Sequence, residues 1–340
     1  MHICNRRWEN MFDFEKDRLL AEITKRKAKK VLLQFPEGLK TEAFALSRLI
    51  ESKTGVTVFA SADPCYGGCD LALDDALRLN VHLIVHYGHT PYLKRMPIPV
   101  IYLEARATVD IRMAVEATIP LLKNFSRIGL ATTVQHIHQL EEVKKFLEEA
   151  KKIVVIGPAR GRIKYNGQIL GCDFTTVKSI SSQVDAFVFV GGGDFHPLGI
   201  ALATGKPVVV ADPYVNKAKA IEDLKRKILR QRWAAISKAM EMKNFGVLLG
   251  VKIGQKNCRL AVSIKNQLLR AGKEAVILSV HEITPEVLMA FTNIEAFVDT
   301  ACPRVAIDDA ARFPKPILIP EEVQVMLGKM DWCAYAKEFH

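Results

Sequence analysis

The stretch RIGLATTVQHIHQLEEVKKFLEEAKKIVVIGP, residues 127–158, decides the fold. It begins with one short apolar run, RIGLATT, and ends with another, KIVVIGP. Between them, HQLEEVKKFLEEAKK places Leu140, Val143, Phe146, Leu147 and Ala150 on a single helical stripe. Two apolar runs joined by an amphipathic helix predict a strand–helix–strand unit of a parallel sheet. Both runs are nearly continuous in apolar residues, which predicts a sheet covered on both faces.

This unit belongs to a set of four apolar runs, and the set occurs three times. Set one is VLLQF (31–35), VTVFAS (56–61), VHLIVHYG (81–88) and PVIYLEA (99–105). Set two is RIGLATT (127–133), KIVVIGP (152–158), DAFVFVGGG (185–193) and KPVVVADP (206–213). Set three is FGVLLGV (245–251), EAVILSV (274–280), EAFVDTACP (295–303) and KPILIPEE (315–322). Sets one and three carry their own first helices, TEAFALSRLIESKTG and RLAVSIKNQLLRAGK, stopped by Gly55 and Gly272 as expected just past a helix end. The expected fold class is α/β: three homologous domains, each a four-stranded, mostly parallel sheet with flanking helices, around a pseudo-threefold centre. The divisions fall at 1–107 (first repeat, with an N-terminal helix), 108–215 (second repeat) and 216–340 (third repeat, with a long basic linking helix).

Composition narrows the class. The chain of 340 residues is 49% hydrophobic and 25% charged, as in globular proteins. No apolar run approaches the roughly 20 residues that span a bilayer, and the N-terminus has no apolar core of signal-peptide kind. The expected setting is the cytoplasm, with no membrane partner. Seven cysteines, an odd number spread widely, do not form a disulfide framework, so they are core thiols or metal ligands. The net charge is +11, and residues 216–243 hold nine Lys or Arg against three acids. That stretch is expected to be one long helix. It is either a solvated face or a surface for an acidic or ribosome-associated partner. No zinc-finger spacing and no aromatic-basic RNA signature is present, so direct nucleic-acid binding is not expected.

In parallel sheets, ligands bind beyond the carboxyl ends of the strands. The chemistry-bearing residues collect in those loops: QFPEGL, YGGCD, HYGHTPY, TTVQHIHQL, GQILGCDF, GGGDFHPLG and ACPRVAIDD. Cys69 and Cys172 both stand in Gly-Cys-Asp, each between the second and third strands of its set. Cys302 ends the third strand of set three, in TACPR. One thiolate from each repeat suits a [4Fe–4S] cluster, which takes three cysteines and keeps one iron open. Zinc more often takes four closed ligands, or three and a water. Within ADPCYGGCD (62–70), Cys65 has no partner in the second repeat, where Gln168 takes its place. Cys65 is therefore expected not to be a ligand, and Cys4, Cys258 and Cys333 are assigned no role.

The strings LQFPEGL, YGGCD, HYGHT, TTVQHIHQL, GQILGCDF, DFHPLGIA, VVADPY and TACPRVAIDD resemble the archaeal form of the first diphthamide-synthesis enzyme, over about residues 13 to 330. The resemblance implies that Cys69, Cys172 and Cys302 hold a [4Fe–4S] cluster and that S-adenosylmethionine binds its open iron. It implies reductive cleavage to a 3-amino-3-carboxypropyl radical, which adds to C2 of a histidine imidazole of translation elongation factor 2. It also implies a homodimer and an external electron donor.

Several further residues are candidates for contact with the cofactor. Gln34, Pro36, Glu37 and Gly38 follow the first strand of set one. His86, Gly88 and His89, with Asp194 and His196, end the third strands of sets one and two, in register with Cys302. Gln135 and His136 sit where a strand meets a helix, where polar capping residues are also usual. Arg304, two residues after Cys302, can clamp a carboxylate as a bidentate fork, or sit in a surface salt bridge. Two alternatives stay open: a quinolinate-synthase-like enzyme, whose open iron acts as a Lewis acid, and a non-enzymatic basic partner protein.

Overall fold

A computed structural model describes residues 11–93 and 95–338. Cys4 lies outside the described residues. Apart from a two-stranded pairing of Phe12–Asp13 with Arg106–Ala107, three sheets follow one another along the chain. In the first, Thr57–Ala60, Lys30–Gln34, Leu83–Tyr87 and Val100–Leu103 lie side by side, all parallel. The third repeats this order with Glu274–Val280, Asn244–Gly250, Ala296–Asp299 and Ile317–Leu318. The second has Ile153–Ile156, Arg127–Thr132, Ala186–Val190 and Val208–Asp212. In each of these three sheets the first strand is an inner one and the second lies beside it at the edge, as three crossovers of one kind produce.

The second sheet shows why the apolar runs are continuous. Ile128, Leu130, Val188, Val190 and Val209 bury into one cluster. Their neighbours Ala131, Phe187, Phe189, Val208 and Val210 bury into another on the opposite face. Each fully buried Val or Phe contributes roughly 1.5–3 kcal/mol. Successive side chains alternate across a strand, so two covers demand apolar residues at both parities.

One expectation is corrected here. Residues 216–243 are not a single helix: Lys217–Ala220 is a strand, antiparallel to Val208–Asp212, and the helix is Glu222–Glu241. Asn216 turns the chain with φ +53°. The sequence Lys-Ala-Lys-Ala has period two, the strand period, and its lysines suit an exposed sheet edge. The second sheet therefore has five strands and extends past the expected division at 216.

The repeats are tied together at buried polar points. Glu104 is 4% exposed and accepts from Lys164 Nζ at 2.7 Å and Tyr165 Oη at 2.6 Å, with Arg106 on its other oxygen. Burial alone would raise its carboxyl, but these bonds outweigh it and hold the group below its usual range. This anchors the start of the loop that carries Cys172. Among the described residues, no helix is long and apolar enough to cross a membrane.

Candidate functional site

All three repeats contribute a cysteine to one cavity of about 200 Å³, whose wall includes Cys69, Cys172 and Cys302. Local turns set each one. Asp299 Oδ1 accepts from the backbone N–H of Ala301 at 2.7 Å and of Cys302 at 3.3 Å, placing Cys302 at the start of the helix Pro303–Ile307. Asp173 turns the chain after Cys172 by accepting from Thr175 N at 3.0 Å. Asp70 does the same beside Cys69, accepting from Tyr66 N at 3.3 Å. The Asp of Gly-Cys-Asp is thus a turn residue in both repeats.

The cavity walls disfavour charge on the sulfurs. They push the Cys302 thiol up to about 12, with the charges of Asp299, Cys69 and Cys172 adding to burial. They push Cys172 up to about 11, with Cys69 as the next cause. Binding metal here releases protons. Three cysteines from three separate loops on one cavity wall are the donor set of a [4Fe–4S] group, which takes three thiolates and keeps one iron open.

Of the other candidates, Pro36, Gly88, His89, Gln135, His196 and Arg304 also line the cavity. Gly88 has φ +79°, and a Cβ there would lie 2.9 Å from the Pro36 ring, so glycine alone keeps this wall. Its carbonyl accepts from Gln135 Nε2 at 2.6 Å, joining the first and second repeats. His89 and His196 are both pushed down to about 4, chiefly by burial, and stay neutral. Arg304 lies with its guanidinium 5.1 Å from the Phe195 ring centre, and its Nε pairs with Asp308 at 3.3 Å.

The remaining candidates stand off the wall. Gln34 is buried behind it, donating to the Asp70 carbonyl at 2.7 Å and accepting from His86 Nδ1 at 2.9 Å. His86 Nε2 then meets His89 Nδ1 at 2.9 Å, so a buried chain runs from Gln34 to the cavity. His136 is held between Gln139 and Tyr214. Glu37 and Gly38 are exposed, with Glu37 paired to Lys40, and Asp194 pairs with Lys219 at 2.6 Å.

Cys65 is 2% exposed and does not line the cavity. Its sulfur and ring nitrogens of His86 and His89 lie within 4.8 Å of one another, a metal-like grouping. The two rings already satisfy each other at 2.9 Å, closer than two nitrogens on one metal, which stand about 3.3 Å apart for bonds of about 2.0 Å. Cys65→Ser is expected to keep the full iron content of the parent protein; loss of iron, measured by chemical assay, would overturn this sorting.

Sequence reasoning missed Gln168, Tyr92, Phe195 and Gln255, which line the same cavity. Gln168 is 1% exposed and donates to Thr90 Oγ1 at 3.1 Å. The loop holding Gln255, VKIGQKN, follows a first strand, as QFPEGL and TTVQHIHQL do, and had the same claim by position.

Over residues 35–337 the chain matches the family described as "Putative diphthamide synthesis protein". The chain belongs to the diphthamide-synthesis family. It is 37% identical to the 2-(3-amino-3-carboxypropyl)histidine synthase of Pyrococcus horikoshii, over 94% of this chain and 91% of that one. It is 30% identical to subunit 1 of the synthase of Schizosaccharomyces pombe, over 94% of this chain and 75% of that subunit. Its fold matches the crystal structure of Dph2 from Pyrococcus horikoshii with a 4Fe-4S cluster, with TM-score 0.87 and 36% identity, covering 94% of this chain and 93% of that one. Diphthamide-synthesis membership makes the chain an enzyme of the transferase class.

Proposed function

We propose that the chain transfers the 3-amino-3-carboxypropyl group of S-adenosylmethionine to C2 of a histidine imidazole of translation elongation factor 2, the first step of diphthamide synthesis. The observation that carries this reading is the meeting of Cys69, Cys172 and Cys302, from three separate sheets, in one cavity wall. Three thiolates, one from each repeat, suit a [4Fe–4S] group, and their convergence supports an arrangement about a pseudo-threefold centre. Bound there, such a group supplies one electron at low potential to the sulfonium.

The chain's own residues do the rest. Arg304, its guanidinium over the Phe195 ring and on the cavity wall, is placed to hold the carboxylate of the amino-acid part. The neutral rings of His89 and His196 give hydrogen-bonding groups without adding positive charge beside a sulfonium. Tyr66, Tyr92 and Phe195 line the cavity and keep water from a reactive carbon. Which carbon–sulfur bond breaks is a matter of orientation, which is what these contacts govern. The sulfur–Cγ bond breaks, the Cγ–C2 bond forms, and methylthioadenosine and the imidazole C2 proton leave. The electron taken up at cleavage is returned when C2 loses its hydrogen, so no net oxidant is required. A second copy of the chain and an electron donor complete the proposed assembly in the cytoplasm.

The test is an anaerobic reaction of iron-loaded protein with dithionite, S-adenosylmethionine and elongation factor 2. Methylthioadenosine and one added aminocarboxypropyl group on the factor are expected. Release of 5′-deoxyadenosine, or no product from loaded protein, would sink the proposal.

A further inference from the structure

The loop that carries Cys69 is gripped by the third repeat. The chain leaving the strand Asn244–Gly250 crosses to it and makes three contacts within residues 252–255. Lys252 Nζ pairs with Asp70 Oδ2 at 2.7 Å, the two side chains being 13% and 7% exposed, and also reaches Glu282. The Gly254 N–H donates to the Cys69 carbonyl at 3.0 Å. A Cβ at Gly254 would lie 2.5 Å from Cys69 Cα and from its carbonyl oxygen, so only glycine permits this approach. Gln255 Nε2 then donates to Cys69 Sγ at 3.8 Å. Among the described residues, neither Cys172 nor Cys302 has a side-chain amide on its sulfur; the neighbours acting on Cys302 include the backbone of Arg304.

We propose that Gln255 is a positioning residue that sets the electron affinity of the iron–sulfur group through the Cys69 sulfur. This rests on the function proposed above, since it needs Cys69 as a ligand. An N–H donor draws electron density from a thiolate and so favours the more negative, reduced form. Removing the donor makes the group harder to reduce. Because the donor comes from the third repeat and the sulfur from the first, the packing of the repeats is built into the electron affinity.

The experiment uses the full chain, reconstituted anaerobically as wild type, Gln255→Leu and Gln255→Glu. Iron per chain is measured first; the midpoint potential is then titrated with dithionite and followed by electron paramagnetic resonance. Gln255→Leu is expected to load iron as wild type does and to titrate at a more negative potential. Gln255→Glu is expected to move further the same way, because a carboxylate then faces the sulfur. Midpoints equal to wild type in both overturn the proposal. If Gln255→Leu loses iron, Gln255→Glu decides. Loss of iron from both shows a role in loading rather than tuning, and the proposal falls. Wild type that binds no cluster, or Cys69→Ala that keeps it, marks failure of the functional reading instead.

Discussion

Cys302→Ala is expected to lose the bound iron and to lower transfer activity by more than about 100-fold, beyond the range seen when only a ligand's supporting partner is removed. Cys302 lines the cavity with Cys69 and Cys172, and its place is set by the turn on Asp299. The substitution removes one sulfur from a cavity wall, so the fold is expected to be retained. That separates loss of the cluster from unfolding. Cys69→Ala and Cys172→Ala are expected to match it. The triple variant is expected to be no worse than any single one, because ligands that act as a unit are not additive. Cys258→Ala and Cys333→Ala, both exposed and away from the cavity, keep activity and iron. Iron and sulfide assays, visible absorbance and methylthioadenosine release check all of these. Full iron in any of the three ligand variants contradicts the assignment.

The fold was legible because parallel sheets write themselves plainly. The continuous apolar runs such as DAFVFVGGG could be nothing but doubly covered strands once they recurred in sets. The meeting of three cysteines in one cavity was legible by register: Cys69 and Cys172 share Gly-Cys-Asp, and Cys302 ends a strand. What was not legible is long-range or short-period. Lys217–Ala220 was hidden because four residues of alternating Lys and Ala carry too little pattern against the charged helix that follows. Gln34 and His86, candidates for contact with the cofactor, are buried behind the cavity wall. Strand alternation gives a residue's parity, but not which of two covered faces meets the ligand. The position of Gln255 after a first strand marks its loop, but its contact with Cys69 spans 186 residues of sequence and is not legible locally.

The largest expected loss of stability lies at Glu322, in the third repeat. Arg232, on the helix Glu222–Glu241, is buried against it, with side-chain exposures of 4% and 0%. The guanidinium donates to Glu322 Oε1 at 2.7 Å and Oε2 at 2.5 Å, to the Ala306 carbonyl at 2.6 Å and to the Ile317 carbonyl at 2.6 Å. Tyr335 Oη donates to the same carboxylate at 2.6 Å. Ala306 lies on the helix that begins after Cys302, so this network braces the helix that Cys302 precedes. Glu322→Ala leaves a guanidinium buried without its counter-charge, which costs about 3–5 kcal/mol. Replacing both partners, as Arg232→Met with Glu322→Leu, removes that unpaired charge and is expected to recover most of the loss. With three repeats in the chain, a single global transition is not assured. Hydrogen exchange over residues 222–241 and 320–326 therefore reads the effect where it occurs. Exchange in Glu322→Ala within about 1 kcal/mol of the parent, on the scale of a typical point mutation, would show that the pair is not what holds the third repeat.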